Sequence, residues 1–502
     1  LISYSWGGTG DDFITGIIED EENDRLVISG YAKGELGSKS NQWVHGWARR
    51  LRNTDNTAGI TFTGIDIDQY GHYSLSANDN LNGDALLTCY NKNFDYQTTV
   101  AMSLGGESDN FSGVLTTADN KRVVVGGTKN LTSEKSAFVM NVDSDFTTVN
   151  WAKGFSSSTN YLTITDHCLI QSSGTEYAIC FAQINTTVDQ EDYQKEGVLF
   201  GVNTSNGSII FQKSISGLAS SPSTMRWVSS IAPGAPNTGT FFIAGSSGIE
   251  LSGPTRVYKT PFFAYGDINT SDVINYIEDK WGSNETSYQL VSDQNSNWDI
   301  NESRFDVIRV SKYDSATSTY DLILGGRAED ISLAAEDSAS YTDQTTVTGR
   351  TTGHVSHGIY EKIKFVDSNY KTSTIWAKQL NSHKGYIEGV TTLLIEESDM
   401  RPWWFNETEF FHNGNSRVVA FADGLGLDSD ASILKLSDTA FFGFNDNDGS
   451  LYFRSSFGHM GRDYINTDVV WDHNFRNFVV AGGSSSHSPG KDGVLFRGDK
   501  EG

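Results

Sequence analysis

A phrase of strand-sized apolar runs recurs along this chain, and it restricts the fold more than any single motif does. Near the start it reads WGG, Asp11-Asp12-Phe13-Ile14, RLVISGYA and VHGWARRL. It returns as SLGG, Ser108-Asp109-Asn110-Phe111, KRVVVGGT, AFVMNV and NWAKGF, and at the end as SFGHMGRDYI, NFVVAGGS and DGVLF. Gly, Asn, Asp and Ser separate the runs. Self-similarity at a period of tens of residues marks a solenoid, a propeller or an array.

Each copy accommodates four strands. The first follows an acidic residue (FITGIIED, FSGVLTTA, YINTDVVW). The second is almost wholly apolar and small (RLVISGYA, RVVVGGT, YAICFAQ, TFFIAGS, FVVAGGS). A strand covered on both faces needs no polar alternation, so the second strand is expected inside. The glycines at its end permit a bulge or close backbone approach. The third strand runs from a small residue into apolar ones (ALLTCYN, AFVMNVD, GVLFGVN), and the fourth carries an aromatic (NWAKGF, TIWAKQL). Helical periodicity is nearly absent, and Pro402 breaks the one candidate turn of helix.

About four short strands per unit predict an all-β fold, a single closed β-propeller spanning 1–502. Counting second and third strands gives eight four-stranded blades, near 9–51, 60–95, 107–144, 160–204, 224–268, 304–366, 386–437 and 462–497. The second unit is short, so seven blades with an irregular insertion is the alternative. The last unit stops at a third strand, whereas the chain opens with LISYSWGG, a fourth strand without companions. The N-terminal strand is therefore expected to complete the last blade, which removes a raw sheet edge. Long insertions are expected near 283–303, 328–357 and 396–413. Loops on a rigid scaffold carry recognition.

The formal charge of -26 repels nucleic acid and anionic lipid. No apolar run approaches the roughly 20 residues of a membrane-spanning helix. The chain does not open with Met, and a mature form or a piece of a longer protein is expected.

The pattern resembles the secreted β-propeller repeats called SBBP or seven-bladed β-repeats. The residues that carry this are Trp6-Gly7-Gly8 with Asp11, Ser136-Ala137-Phe138-Val139 and Asp492-Gly493-Val494-Leu495. The resemblance spans nearly the whole chain but is close only in the first, third and last units. It implies an extracellular or cell-surface setting, a scaffold or binding role, and no catalytic residues.

Candidate sites are sparse. Cys168 and Cys180 would face each other in a hairpin with a three-residue loop centred on Gly174. That allows a cross-strand disulfide; the alternative is two buried thiols. Cys89 is expected to be a free, buried thiol. Nine sequons (Asn110, Asn130, Asn185, Asn203, Asn206, Asn269, Asn284, Asn301 and Asn406) suggest a glycoprotein of the secretory route. Asn78, Asn80, Asn82 and Asp84 place oxygen donors at alternate positions around Gly83, as a calcium turn does, but no Glu closes the site. Otherwise no cofactor is expected. His354 and His357 are three apart, which on a strand puts them on opposite faces. Arg497-Gly498-Asp499 spells a tripeptide that some cell-surface receptors read. Arg401, Trp403, Trp404 and Phe405 offer an aromatic contact patch, or else a small buried cluster.

The reading that follows is a non-enzymatic extracellular or cell-surface module of a filament, matrix or surface assembly. Its partners would be proteins or glycans. The alternatives are a glycan-active propeller hydrolase or lyase, and a calcium-dependent adhesin.

Overall fold

The computed structural model describes residues 2–6, 12–35, 44–57, 60–69, 74–75, 80–103, 108–129, 135–146, 148–157, 161–185, 196–215, 224–250, 256–280, 304–329, 356–380, 386–395, 417–425, 437–457, 463–472, 477–484 and 492–498, several strands by backbone alone. These residues are strands and turns with one three-residue 3-10 turn at Asp367–Asn369. Among them, no helix is long and apolar enough to cross a membrane.

The chain divides into two compact units. The first comprises Leu1–Leu169, Gly174–Ile215 and Thr467–Gly498; the second comprises Ile170–Ser173, Ser216–Asn466 and Asp499–Gly502. Antiparallel four-strand sets in sequence order are the building block of both. In the second unit they are Thr224–Pro233 to Ile274–Asp279, Arg304–Asp314 to Lys371–Leu380, and Tyr386–Ile395 to Leu451–Phe457.

In the first unit, Ile2–Trp6 pairs with Asp492–Gly498, with Ile2 opposite Arg497 and Trp6 opposite Gly493. The N-terminal strand thus completes the last set, as its isolation in the sequence foretold. A second set runs Tyr161–Ser172 to Ile209–Ser214. The remaining strands form an eleven-stranded sheet. Within it Arg25–Glu35 pairs with Asn80–Asn91, not with Val44–Thr57, and Tyr96–Ser103 completes that set. The strand assigned by sequence to a second unit at 60–95 therefore belongs to the first. Residues between them form an insertion. Its strands Val44–Thr57 and Ile60–Gln69 bridge the outer edges of two sets, pairing parallel to Tyr96–Ser103 and antiparallel to Val149–Ser157.

Burial follows the sequence pattern. Val123, Val124 and Val125 on one second strand are fully buried, as are Phe241, Phe242 and Ile243 on another. Each such side chain contributes about 1.5–3 kcal/mol when removed from water. The glycine closing the second strand has a specific task. At Gly30, Gly126, Gly245 and Gly326 an added Cβ would stand 1.8–2.1 Å from a first-strand carbonyl oxygen, that of Phe13, Asn110, Trp227 and Arg304 respectively. The first strand bulges beside each of these glycines. Only glycine lets the two backbones approach so closely, and the contact fixes where the first strand's leading residues point.

Candidate functional site

Strands alternate in direction within a set, so the start of the first, the end of the second, the start of the third and the end of the fourth share one end. In the second unit this end gathers the charged and aromatic groups of most chemical interest. The glycine contact makes Phe13, Asn110, Trp227 and Arg304 equivalent positions. One residue earlier, Asp12 and Asp109 in the first unit correspond to Arg226 in the second. The acidic residue of the repeat has become a buried arginine.

Arg226 donates from Nη2 to Asp279 at 3.1 and 3.3 Å, and its guanidinium lies 5.6 Å from the Phe262 ring. Ser247 donates to the same Asp279 at 2.6 Å. Nε and Nη1 of Arg226 are buried and carry no hydrogen bond. On the next first strand, Arg304 sits 5.0 Å over the Trp227 ring and pairs with Asp306 at 2.5 Å. Its side chain is 20% exposed and that of Asp306 10%, whereas Asp279 is 41% exposed and is the carboxylate of the cluster that meets solvent. The backbone N–H of Ile308 donates to Ser230 Oγ at 3.3 Å, which ties the two first strands together. The cluster thus gathers an aromatic ring, two guanidinium groups, that of Arg226 buried, and two carboxylates on rigid strand ends. Such a set can stack on a sugar ring, donate to its oxygens and accept from its hydroxyls.

The sequence does carry a signal for this cluster. Met225-Arg226-Trp227 and Glu302-Ser303-Arg304 stand where the better repeats have Asp11-Asp12-Phe13 and Ser108-Asp109-Asn110. Departure from a repeat toward cations, in an acidic chain, is the readable mark. It becomes visible only once the bulge register aligns the copies.

Most sites expected from sequence lie elsewhere. Asn80, Asn82 and Asp84 fall on the strand Asn80–Asn91, laddered to Glu35, Lys33 and Ala32; Asn78 lies outside the described residues. Among the described residues no three His, Cys, Asp or Glu side chains gather as a metal site. Arg401, Trp403, Trp404, Phe405 and His354 lie outside the described residues, as do Asn130, Asn284, Asn301 and Asn406. His357 lies on Ser356–Val366 opposite Ala328.

Asn206 and Asn269 are exposed in turns. Asn110 is half-buried and accepts from the Gly127 N–H, and Asn203 accepts from the Ser205 N–H. Asn185 ends its strand. Arg497 is buried: it donates to the Lys92 carbonyl at 2.6 Å and lies 4.6 Å from the Phe94 ring. Its guanidinium is thereby withheld from any receptor.

All three cysteines are buried, free thiols. The hairpin explains this for Cys168 and Cys180. Ser173 and Gly174 both have positive φ, 51° and 77°, and form a two-residue turn between Tyr161–Ser172 and Thr175–Asn185. Counting outward from Ser172 opposite Thr175, Cys168 meets Ile179 rather than Cys180. The one-residue change from the expected loop sends the two thiols to opposite faces. Burial pushes the Cys89 thiol up to about 12 and raises Cys180 further. Burial also lowers His167 to about 4, so it is neutral at physiological pH, and lifts Glu176 to about 7 despite its bond from the Ala118 N–H.

No known family model and no curated protein sequence matches the chain. Solved structures of similar shape include a polysaccharide lyase described as a PL25 ulvan lyase, at 8% identity and TM-score 0.43, covering 100% of this chain and 97% of that one. A Hadza microbial sialidase is 8% identical with TM-score 0.36, covering 99% and 95%. The Nup133 β-propeller domain of Vanderwaltozyma polyspora is 9% identical with TM-score 0.37, covering 88% and 99%. The expectation that the chain is not an enzyme is corrected against these: polysaccharide lyases and a sialidase stand among the similar structures. Similarity at this level transfers no residue and no substrate, so function is argued from the cluster itself.

Proposed function

We propose that this chain is a glycan-active β-propeller enzyme, a hydrolase or a lyase, that holds a polysaccharide at the first-strand end of its second unit. The observation that carries the reading is the Trp227–Arg304–Asp306 group beside the partly unsatisfied Arg226. Aromatic faces bind sugar rings, and planar guanidinium and carboxylate groups bind their oxygens. Catalysis by a carboxyl group near the scissile bond is worth ~10²–10⁴-fold, and we assign it to Asp306, which its pair with Arg304 seats beside the Trp227 ring. The four sets of the first unit, namely Ile2–Trp6 with Asp463–Asp472 to Asp492–Gly498, Phe13–Asp20 to Tyr96–Ser103, Ser108–Thr116 to Val149–Ser157 and Tyr161–Ser172 to Ile209–Ser214, and the three of the second support seven blades rather than eight. An extracellular or cell-surface setting belongs to the same proposal, supported by the resemblance to secreted repeats and by exposed sequons at Asn206 and Asn269.

The test is depolymerisation of a polysaccharide panel, read as new reducing ends and as the ultraviolet absorbance of unsaturated sugar products. Activity is expected in the wild type and a loss of about 100-fold or more in Asp306→Asn, with unchanged melting. No cleavage of any polysaccharide, or full activity in Asp306→Asn, refutes the assignment.

A further inference from the structure

We infer that the turn between the third and fourth strands of the Arg304 set is a second glycan-binding site, an exposed tyrosine platform of Tyr370 and Tyr276 that anchors the polysaccharide away from the point of cleavage. The choice of a glycan as ligand rests on the glycan-active reading above, whereas the platform stands on its own geometry.

The repeat singles out Tyr370. Three sets place an aromatic residue in this turn after a polar triplet, as Asn91-Lys92-Asn93-Phe94, Asp143-Ser144-Asp145-Phe146 and Asp367-Ser368-Asn369-Tyr370. All three rings hang from left-handed backbone, at φ 64°, 60° and 54°. That conformation is costly for a residue with a β-carbon, and two other sets use a positive-φ glycine in the corresponding turn, Gly207 and Gly449. In the first unit burial offsets the cost. Phe94 is 4% exposed with the Arg497 guanidinium 4.6 Å from its ring centre, and Phe146 is 1% exposed with that of Arg25 at 5.4 Å. Tyr370 has the same backbone and is 41% exposed. Strain that packing leaves uncompensated marks a binding site.

The groups around Tyr370 suit a sugar. Its ring lies 5.9 Å from that of Tyr276 with 16° between their planes, and Tyr265 and Phe365 support it from 6.2 and 6.4 Å. Both supporting rings are buried, which holds the platform in place. A pyranose ring stacks its C–H face on an aromatic surface of this kind. The Tyr370 hydroxyl makes no hydrogen bond with the described residues, and Ser368, Asn369 and Lys371 are exposed on the same turn. These hydroxyl, amide and ammonium groups donate to and accept from sugar hydroxyls. A guanidinium from a basic partner would repeat the arrangement at Phe94 and Phe146. It is disfavoured, because the Asp367 carboxylate is taken by the Tyr265 hydroxyl while Lys371 stands exposed beside the ring.

Position defines the role. Arg304 opens the first strand of this set, Arg304–Asp314, and the turn after the third strand lies at the other end of the sheet. Eleven residues of strand put the two roughly 30 Å apart. Polymer held on Tyr370 is therefore anchored without being cut there.

The test is affinity electrophoresis of the whole chain through gels carrying a β-glucan, a mannan, a polyuronate or a sulfated galactan, with melting measured on the same proteins. Retention by at least one polymer is expected, with a fall of about tenfold in Tyr370→Gly. Melting of that variant should match or exceed wild type, because glycine takes the left-handed conformation freely. Tyr370→Phe should keep the stack and lose about threefold or less. Retention unchanged in Tyr370→Gly, or a Tyr370→Gly melt more than about 4 °C below wild type, would overturn the platform. Retention by no polymer overturns it too. So does binding of an arginine-rich peptide that Tyr370→Gly abolishes, which would assign the ring to a protein partner. Reducing-end release by Asp306→Asn judges the catalytic reading separately, so the two readings fail by different measurements.

Discussion

The buried Lys362–Asp446 pair offers the sharpest test of how the second unit is held together. Lys362 lies on Ser356–Val366, and its Nζ is 2.8 Å from Asp446 Oδ2 and 3.3 Å from Asp321. The Asp446 carboxylate is fully buried and the Lys362 side chain 4% exposed. Around them Trp376 donates its indole N–H to the Asp446 carbonyl at 2.9 Å, and Tyr360 donates to the Gly449 carbonyl at 3.0 Å. Lys362→Met keeps the apolar stem and deletes the cation. It strands two neighbouring carboxylates, one of them without access to water, a loss of about 3–5 kcal/mol. Asp446→Asn is milder, about 1–2 kcal/mol, because the ammonium retains Asp321 and the amide oxygen still accepts. For a unit of this size each kcal/mol moves the midpoint by about 2–4 °C. Thermal melts at neutral pH should therefore drop by roughly 6–20 °C for Lys362→Met and roughly 2–8 °C for Asp446→Asn. The double variant Lys362→Met/Asp446→Leu should recover part of the loss, since apolar residues replace a buried pair at little cost. An Asp446→Asn melt at or below that of Lys362→Met, or a Lys362→Met melt within about 2 °C of wild type, would show that the pair does not act as argued.

Two further outcomes follow from buried titratable groups. Glu176 is lifted to about 7 from an ordinary value near 4.5 by desolvation, so the folded protein holds this proton more tightly than the unfolded chain. Its contribution is complete below the ordinary glutamate range and is lost as pH rises through about 7, on the order of 3 kcal/mol in all. Melting temperature should fall between pH 5 and 8 more in wild type than in Glu176→Gln; parallel profiles would contradict this. Thiol titration of the denatured, unreduced protein should count three cysteines; a count of one would restore the Cys168–Cys180 bridge.

Local chemistry was legible in the sequence and long-range pairing was not. The apolar second strands, the glycines that close them and the orphan strand at the N-terminus each answer to short-range rules, and each sits where those rules put it. The strand ALLTCYN was misplaced because 33–84, which includes a strand-like insertion, separates it from RLVISGYA. Nothing local says which of two plausible third strands a second strand will choose. A similar blindness hid a linkage that repeats in both units. Trp151 donates its indole N–H to the Thr204 carbonyl at 2.7 Å, and the positive-φ Gly207 packs on its ring. Trp376 does the same with Asp446 and Gly449. The partners are spelled twice, as NWAKG with NTSNGS and as IWAKQ with NDNDGS. Read alone, the second turn looks like a place for a cation. Its carboxylate instead faces a lysine from the preceding set, because a buried anion must find a positive partner and Lys362 is the one the fold supplies. The Arg226–Trp227 and Arg304–Asp306 group eluded the sequence for the converse reason. Its residues break the repeat, and only the bulge register shows that an arginine occupies the place of an aspartate. Repetition reveals what every copy needs for folding. Function must be sought where a copy departs from it, and the Arg226 position, where a buried arginine stands in the place of an aspartate, is such a departure.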